Sequence, residues 1–316
     1  MEKLLKTKIK NKDNSLQLKF RASRDIPIYL LLLPALGLVA VFCYGPMYGL
    51  LMAFQDFSPF KNIWGSTWVG LENFKFFLSD PNFWRVLKNT LVINIFQLVF
   101  GFPFPVIFAI LLNELVFTRF KKVVQTLSYL PYFISWVVAA SIISTFLDPS
   151  TGMLNLFLKN VFGMEPVYWL TKESAFVPII VISSIWKGFG MSSVYYLAAI
   201  TGIDQSLFEA AKIDGANRMQ QIWHIMVPAL KPIVTVLLVL QVGQIMSIGF
   251  EQIYLLYNPM VYSVGDVLST YTYRMGVLQT QYSLTTAIGI SQSFVNFILV
   301  LAANKISKKL AGWSMW

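Results

Sequence analysis

The sequence has very few of the side chains that form disulfides and metal sites. Its 316 residues include one cysteine, Cys43, and one histidine, His224. A single cysteine excludes a disulfide within the chain and a cysteine metal site. Cys43 lies in an apolar run, where it is predicted to be a small core residue, and His224 has no His, Cys or acid at ligand spacing. No metal site is therefore predicted.

Charged residues are scarce as well. Asp, Glu, Lys and Arg make up 13% of the chain, against 56% hydrophobic residues, and the mean hydropathy is +0.61. A soluble domain carries about a quarter charged residues. The composition therefore predicts an integral membrane protein.

Motifs that would power or catalyse a reaction are also missing. No G-x-x-x-x-G-K-[ST] motif occurs, so the chain has no P-loop for nucleotide phosphates. Ion-coupled transporters keep acids or histidines at membrane depth, whereas Glu114 and Glu251 lie at the edges of apolar runs. No Ser-His-Asp or Cys-His set lies at membrane depth. We therefore predict neither an enzyme nor a cofactor bound by this chain.

Long apolar runs dominate what is present. A helix needs about 20 apolar residues to cross the hydrocarbon core of a membrane. Six runs are long enough: 27–54, 89–112, 123–147, 177–200, 229–250 and 283–303. They predict an all-α polytopic membrane protein with six transmembrane helices in residues 26–303. A basic segment, 1–25, precedes this domain, and a tail, 304–316, follows it.

The distribution of Lys and Arg predicts the orientation, because cytoplasmic loops carry an excess of these residues. Seventeen of the 25 lie in the N-terminal segment, the tail and the loops on their side of the membrane, and seven lie on the opposite side. Lys187 lies within a predicted span. Both termini are therefore expected in the cytoplasm. The basic segment is interpreted as a solvated topology anchor, with attraction to anionic membrane lipid as the alternative. Nothing indicates a nucleic-acid partner.

A polar stretch, 209–232, separates the fourth and fifth runs and reads EAAKIDGANRMQQIWHIMVPALKP. Ser206 and Glu209 fit a capping box, which predicts a short helix starting near Leu207. Gly215 can take the left-handed conformation that ends such a helix. The stretch is therefore predicted to begin with a helix and a glycine turn.

A second helix is predicted after this turn. Asn217, followed three residues later by Gln220, is a weaker cap. The helix is expected to end near Val227, because Pro228 disfavours helical geometry in the residue before it.

The spacing of these residues resembles the EAA loop of the membrane subunits of binding-protein-dependent ABC importers. The matching positions are Glu209, Ala210, Ala211, Asp214, Gly215, Ala216, Ile225 and Pro228. Trp223 stands where Phe is usual, and Met226-Val227 replaces the common Thr-Leu. The resemblance implies a type I importer permease fold in which loop 201–228 couples the permease to a separate ATPase dimer that binds ATP and Mg²⁺. An ordinary cytoplasmic loop is the alternative.

Other segments extend the resemblance over nearly the whole chain. They are Leu33-Pro34-Ala35, Tyr44-Gly45-Pro46, residues 68–74 (WVGLENF) and Asn304-Lys305-Ile306-Ser307. The similarity is greatest to the LplB-like branch of carbohydrate permeases, which handle oligosaccharides and polysaccharide fragments. It implies a bacterial plasma-membrane protein with three kinds of partner: a second homologous permease subunit in a heterodimer, the ATPase dimer and an extracytoplasmic solute-binding protein. A stand-alone secondary transporter or channel for a small polar solute is the alternative, and a non-transporting scaffold is another.

Polar side chains within the spans are candidates for a substrate path. Unpartnered polar groups are costly in lipid, so they should face the bundle interior, where amides and aromatic rings suit sugars. The candidates are Lys187, Tyr195, Gln241, Gln244, Ser247, Gln292 and Asn296. In a continuous fifth helix, Gln241, Gln244 and Ser247 would share one side. Alternatively, the amides only join helices through hydrogen bonds.

Lys187 has two interpretations. An ammonium near mid-membrane is by default a functional-site hypothesis. We hypothesise that it faces the path and pairs with Glu251 or meets an acidic sugar. The alternative is that it reaches the membrane surface or binds backbone carbonyls of a kinked helix.

Residues 55–88, outside the predicted spans, are rich in Trp and Phe and include Trp64, Trp68, Phe74, Phe76, Phe77, Phe83 and Trp84. Such a density is typical of the membrane–water boundary. A docking surface for an extracellular partner is the alternative.

Overall fold

A computed structural model describes residues 26–247 and 249–312. The predicted basic segment 1–25 and the last four residues of the tail lie outside this part of the chain. The helices are α1 (Ile26–Phe54), α2 (Asn62–Gly65), α3 (Glu72–Ser79), α4 (Pro81–Glu114), α5 (Thr118–Phe133), α6 (Trp136–Phe146), α7 (Met153–Phe162), α8 (Glu173–Thr201), α9 (Gln205–Ile213), α10 (Arg218–Val242), α11 (Phe250–Leu256), α12 (Tyr262–Gly265), α13 (Leu268–Tyr273) and α14 (Tyr282–Ala311). In the described part of the chain, one antiparallel strand pair is present, β1 (Gln55–Asp56) with β2 (Thr67–Trp68). The prediction of an all-α protein is confirmed.

Five of these helices, α1, α4, α8, α10 and α14, are each long and apolar enough to cross a membrane. Helices α5 and α6 together form a sixth candidate, but they are bent by 104°. The span predicted over 123–147 is therefore a sharply bent pair of helices and not one continuous helix. Helix α5 ends before Ile134, whose backbone is extended. Ser135 then caps α6, because its hydroxyl accepts the Val138 N–H.

Wide π-helical turns precede three of the prolines in the spans. The turns Ala40–Tyr44, Gln97–Gly101 and Ile222–Met226 each end two residues before Pro46, Pro103 and Pro228 respectively. Proline lacks an N–H and clashes with the carbonyl four residues earlier. In a π turn the backbone hydrogen bond joins residues five apart instead of four, which moves that carbonyl away from the proline ring. Such π-bulges are a common cause of helix kinks.

The predicted helix end near Val227 is wrong, because the π turn at Ile222–Met226 lets the helix continue. The Val227 N–H donates to the Ile222 carbonyl, and α10 continues through Pro228 and Pro232 to Val242. The local penalty before a proline was correctly identified, but the widened turn relieves it.

The fifth span also ends earlier than predicted. Helix α10 stops at Val242, a turn follows, and α11 begins at Phe250. A side chain at Gly243 would overlap Val300 of α14, so the backbone at this break lies directly against the neighbouring helix. The expectation that Gln244 and Ser247 continue the helical side of Gln241 is therefore wrong.

Helix α8 is the centre of the bundle, and α4, α5 and α10 pack on it, while α14 packs on α10. Gly190 of α8 lies so close to the Ser128 carbonyl of α5 that a side chain would not fit. Small residues allow this kind of approach between membrane helices. By contrast, every side chain from Ile26 to Tyr48 is exposed, and only the last part of α1 packs on α14.

Candidate coupling loop and translocation cavity

Helix α9 of the predicted coupling loop begins at an aspartate cap. The Asp204 carboxylate accepts the Ser206 N–H at 2.9 Å, so the cap lies two residues before the predicted Ser206. Hydrogen bonds from the N–H and the hydroxyl of Ser206 hold the pKa of Asp204 below its usual value. Asp204 was not singled out from the sequence, although aspartate is among the strongest capping residues.

Gly215 ends α9 in the predicted left-handed conformation, with φ +79°. The Ala216 N–H donates to the Ala211 carbonyl at 2.8 Å, which closes the helix end. The buried Gln221 side chain then donates to the Ala216 carbonyl at 3.0 Å. Gln221 was missed in the sequence, where nothing distinguishes it from Gln220.

The second helix of the loop has the predicted cap. Asn217 Oδ1 accepts the Gln220 N–H at 2.9 Å, and Gln220 Oε1 accepts the Asn217 N–H at 2.7 Å. Arg218, which follows the Asn217 cap, places its guanidinium group 3.6 Å from the carboxylate of Glu114, the last residue of α4. The loop is thereby connected to a second transmembrane helix.

One face of the coupling loop is anchored and the other is free. Phe208 packs against the cluster formed by Ala109, Tyr196, Ile200, Met226 and Leu230, in which α4, α8 and α10 meet. The predicted Glu209, Ala210, Asp214, Gly215 and Pro228 are exposed, and Ala211 and Ala216 are half-buried. Ile213 is 87% exposed at the end of α9. Exposed apolar side chains rimmed by polar residues are typical of a protein-binding surface.

A cavity of about 260 Å³ lies between α4, α8 and α10. Its lining includes the predicted Tyr195 and Gln241, together with Gln97, Ser184, Gly188, Ser192, Phe102, Phe189 and Leu237. Sequence reasoning missed Gln97, Ser184 and Ser192. A signal was available, because Ser184, Gly188 and Ser192 are four residues apart and share one side of α8. The cavity combines hydroxyl, amide and aromatic groups.

Three other path candidates lie together at the break after α10. The Gln292 side chain donates to the Met246 carbonyl, and Asn296 Oδ1 accepts the Met246 N–H at 3.2 Å. Both amides also donate to Ser247 Oγ, at 3.1 and 3.2 Å. These bonds satisfy backbone groups freed by the broken helix. Gln244 is exposed beside this cluster.

Lys187 lies at the corner between α5 and α6. Its buried ammonium donates to the carbonyls of Pro131, Tyr132 and Ile134 at 3.4, 3.0 and 2.7 Å. It also lies 5.6 and 5.3 Å from the ring centroids of Tyr132 and Trp136. An ammonium has three donors, and all three have carbonyl partners here. The geometry matches the carbonyl-binding alternative rather than a pair with Glu251.

The comparisons with known proteins agree with this arrangement. The family model for the inner membrane component of binding-protein-dependent transport systems matches residues 13–312. The chain belongs to this family. It is therefore a multi-pass membrane protein of the permease type, and such subunits are not enzymes. A transporter that works alone is not favoured, because the family consists of components of larger systems.

Individual relatives match over most of their length. Protein LplB of Bacillus subtilis (strain 168) is 43% identical over 286 residues, 90% of each chain. The polygalacturonan/rhamnogalacturonan transport system permease protein YteP of the same strain is 43% identical over 89% of this chain and 88% of its own. A chain in the crystal structure of a bacterial alginate ABC transporter, in complex with an alginate pentasaccharide-bound periplasmic protein, is 41% identical, with a TM-score of 0.85 over 93% of this chain and 98% of that chain.

Proposed function

We propose that this chain is the permease subunit of an ATP-driven importer of carbohydrates, namely oligosaccharides or polysaccharide fragments. One observation carries the proposal: the helices on either side of the coupling loop, α8 and α10, also line the polar cavity. A displacement of α9 therefore moves both walls of the cavity together. This is the rigid-body linkage that alternating access requires.

The energy source is assigned to a separate ATPase dimer that binds ATP and Mg²⁺. The exposed face of the coupling loop, with Glu209, Asp214 and Ile213, supports a docking role. Coupling through this face places the loop in the cytoplasm, in agreement with the excess of Lys and Arg on its side. The termini then lie in the cytoplasm of a bacterial cell.

Two further partners complete the importer. A partner subunit is supported by α1, whose side chains from Ile26 to Tyr48 are exposed in the described part of the chain. The partner assigned here is a second, homologous permease in a heterodimer. An extracytoplasmic solute-binding protein is supported by the related alginate transporter, which was solved with its periplasmic protein. It would deliver the sugar at the end of the bundle opposite the coupling loop.

The carbohydrate class rests on the relatives and on the chemistry of the cavity. The related YteP is named for polygalacturonan and rhamnogalacturonan, and the related structure for alginate. In this chain, the amides of Gln97 and Gln241 and the hydroxyls of Ser184, Ser192 and Tyr195 converge on one cavity. Amides and hydroxyls both donate and accept hydrogen bonds, as sugar hydroxyls require.

Gln241→Leu is expected to lower oligosaccharide uptake about tenfold, because a sugar hydroxyl in the cavity loses its partner at a cost of about 1–3 kcal/mol. The measurement is ATP-dependent uptake into proteoliposomes that contain the complete importer. Galacturonan, arabinan and alginate oligosaccharides serve as the panel. ATPase association should be unchanged, since Gln241 lies far from α9 along the chain.

The matched control is Gln244→Leu, which makes the same chemical change three residues later, outside the cavity lining. It should retain near wild-type uptake. Equal losses in both variants would show that the path does not run through this cavity. Uptake of another solute class, with no uptake of any oligosaccharide in the panel, would overturn the carbohydrate assignment itself.

A further inference from the structure

A row of aromatic rings follows the break in the fifth span. Its members, called here the aromatic ladder, are Phe250, Tyr254, Tyr257, Tyr262 and Tyr273. Phe250 and Tyr254 are stacked at 4.9 Å with an interplanar angle of 24°, and Tyr273 lies 4.9 Å from Phe250 and 5.2 Å from Tyr254. Tyr257 continues the row at 5.9 Å from Tyr254 and 5.0 Å from Tyr262.

The ladder lies at the end of the bundle opposite the coupling loop. Helix α10 begins within the coupling loop and runs toward the ladder for 25 residues, a length of about 37 Å at 1.5 Å per residue. Helix α14 then leads back toward the coupling-loop side. Under the proposed orientation, the ladder faces the exterior, where sugar is delivered.

Rigid contacts hold the ladder from behind. The buried Gln252 of α11 donates to the Ile180 carbonyl at 2.7 Å and to Ser183 Oγ at 2.9 Å, which fastens α11 to α8. Next to Tyr273, Arg274 forms a two-pronged ion pair with the fully buried Asp266 at 2.6 and 3.2 Å. The rings are therefore positioned before any ligand arrives, which reduces the entropy lost on binding.

One edge of the ladder is open. Tyr254 is 39% exposed, while Gln252, Ile253 and Leu256 on the other side of α11 are buried. Phe250 and Tyr273 also form one wall of a cleft of about 420 Å³, within the size range of small-molecule sites. The cleft is completed by Tyr282, Ser269, Thr272, Thr285, Gly276 and Val277.

The hydroxyl groups of the cleft are set to accept hydrogen bonds. Thr272 and Thr285 donate their protons to main-chain carbonyls, so each keeps lone pairs for a ligand donor. Ser269 Oγ, by contrast, is buried and has no hydrogen-bond partner among the described residues. Aromatic faces beside hydroxyl groups match a sugar ring, which has an apolar C–H face and a polar edge.

The charged side chains beside the aromatic ladder do not favour a ligand of one charge. Arg274 is neutralised by Asp266, and Arg85 lies 4.0 Å from the same carboxylate. The exposed Glu251 lies on α11, three residues before Tyr254. The Asp80 carboxylate also lies here and accepts the Tyr271 hydroxyl at 2.8 Å. These carboxylates leave no net positive charge with Arg85 and Arg274, which favours recognition by ring stacking.

We infer that the aromatic ladder and its cleft form a stacking subsite for the sugar rings of an incoming oligosaccharide, separate from the cavity at Gln241. This inference rests on the proposed carbohydrate function. Tyr254 is the most exposed ring of the ladder and takes the first sugar unit. The subsite raises the local concentration of substrate at the outer mouth.

Tyr254→Ala tests this subsite in the reconstituted importer. Loss of one stacking contact should raise the half-saturating oligosaccharide concentration about fivefold to tenfold, with the maximal uptake rate and the basal ATPase rate unchanged. Tyr254→Phe keeps the ring and should restore wild-type behaviour. Tyr168→Ala is the matched control, because Tyr168 is 66% exposed and lies outside the ladder.

Several outcomes distinguish the alternatives. Unchanged half-saturation in Tyr254→Ala, with normal wild-type uptake, overturns the subsite and leaves the proposed function standing. An equal change in Tyr168→Ala also overturns it, because a general membrane-boundary role of exposed tyrosines would then explain both. Wild-type importer that takes up no oligosaccharide from the panel refutes the proposed function instead.

Discussion

Gly215→Pro is expected to lower transport about 100-fold while the subunit still inserts into the membrane. Gly215 has φ +79°, and its N–H donates to the Lys212 carbonyl at 3.1 Å. Proline holds φ near −65° and has no N–H, and such a mismatch costs about 3 kcal/mol or more, which corresponds to about 100-fold. Because Gly215 ends α9, the strain falls on the proposed docking surface.

Two measurements check this prediction: uptake per ATP hydrolysed in proteoliposomes and co-purification of the ATPase with the tagged permease. Both should fall together, since a distorted turn moves α9 away from its partner. Membrane insertion should be normal by fractionation, because Gly215 lies outside the helices that cross the membrane.

The chain offers a closely matched control in Gly163→Pro. Gly163 ends α7 with φ +65°, and its N–H donates to the Lys159 carbonyl at 2.9 Å. At both glycines an added side chain would meet open space, so the backbone strain is the same. Gly163→Pro should keep ATPase association. Loss of association in both variants, or in neither, would contradict the docking role of the loop.

Lys187→Met is expected to destabilise the whole bundle. Removing the ammonium leaves the carbonyls of Tyr132 and Ile134 without a donor in a buried corner. A hydrogen bond to a charged group contributes about 1.5–3 kcal/mol, so a loss of about 3 kcal/mol is expected. For a domain of this size, that lowers the melting temperature by about 6–12 °C. Thermal unfolding of the purified complex measures the change.

The same variant separates the two interpretations of Lys187. A corner support predicts lower stability and equal loss of uptake for neutral and acidic oligosaccharides. A path lysine predicts a selective loss for acidic ones at unchanged melting temperature, and that result would contradict the corner role. The control is Lys75→Met, an exposed lysine of α3 that should change neither quantity.

The coupling loop illustrates how far local chemistry predicts structure. Gly215 and the Asn217–Gln220 box were predicted correctly because glycine conformation and helix caps depend on neighbouring residues alone. The end near Val227 was predicted wrongly, because the proline penalty was applied without the π turn that relieves it. Asp204 replaced Ser206 as the cap, a choice between two good capping residues that local pattern does not decide.

The polar residues of the spans show the opposite case. Gln241 and Tyr195 meet at one cavity, whereas Ser247, Gln292 and Asn296 satisfy a broken backbone. All five look alike in sequence, since each is a polar group in an apolar run. Their roles depend on which helix lies opposite, and the third and fifth spans break where the hydropathy pattern continues.

The sequence by itself determined the membrane class, the all-α fold and the conformation of the coupling turn. Apolar length, charge scarcity and short-range capping specify these without any distant contact. Only the tertiary structure decided that α8 and α10 wall one cavity, that Lys187 supports a bent helix and that five aromatic rings form a ladder. The cavity and the Lys187 contacts join residues far apart in the chain, and the ladder needs Tyr273 to fold back onto Phe250 and Tyr254. The energies of these contacts arise only when the helices have packed.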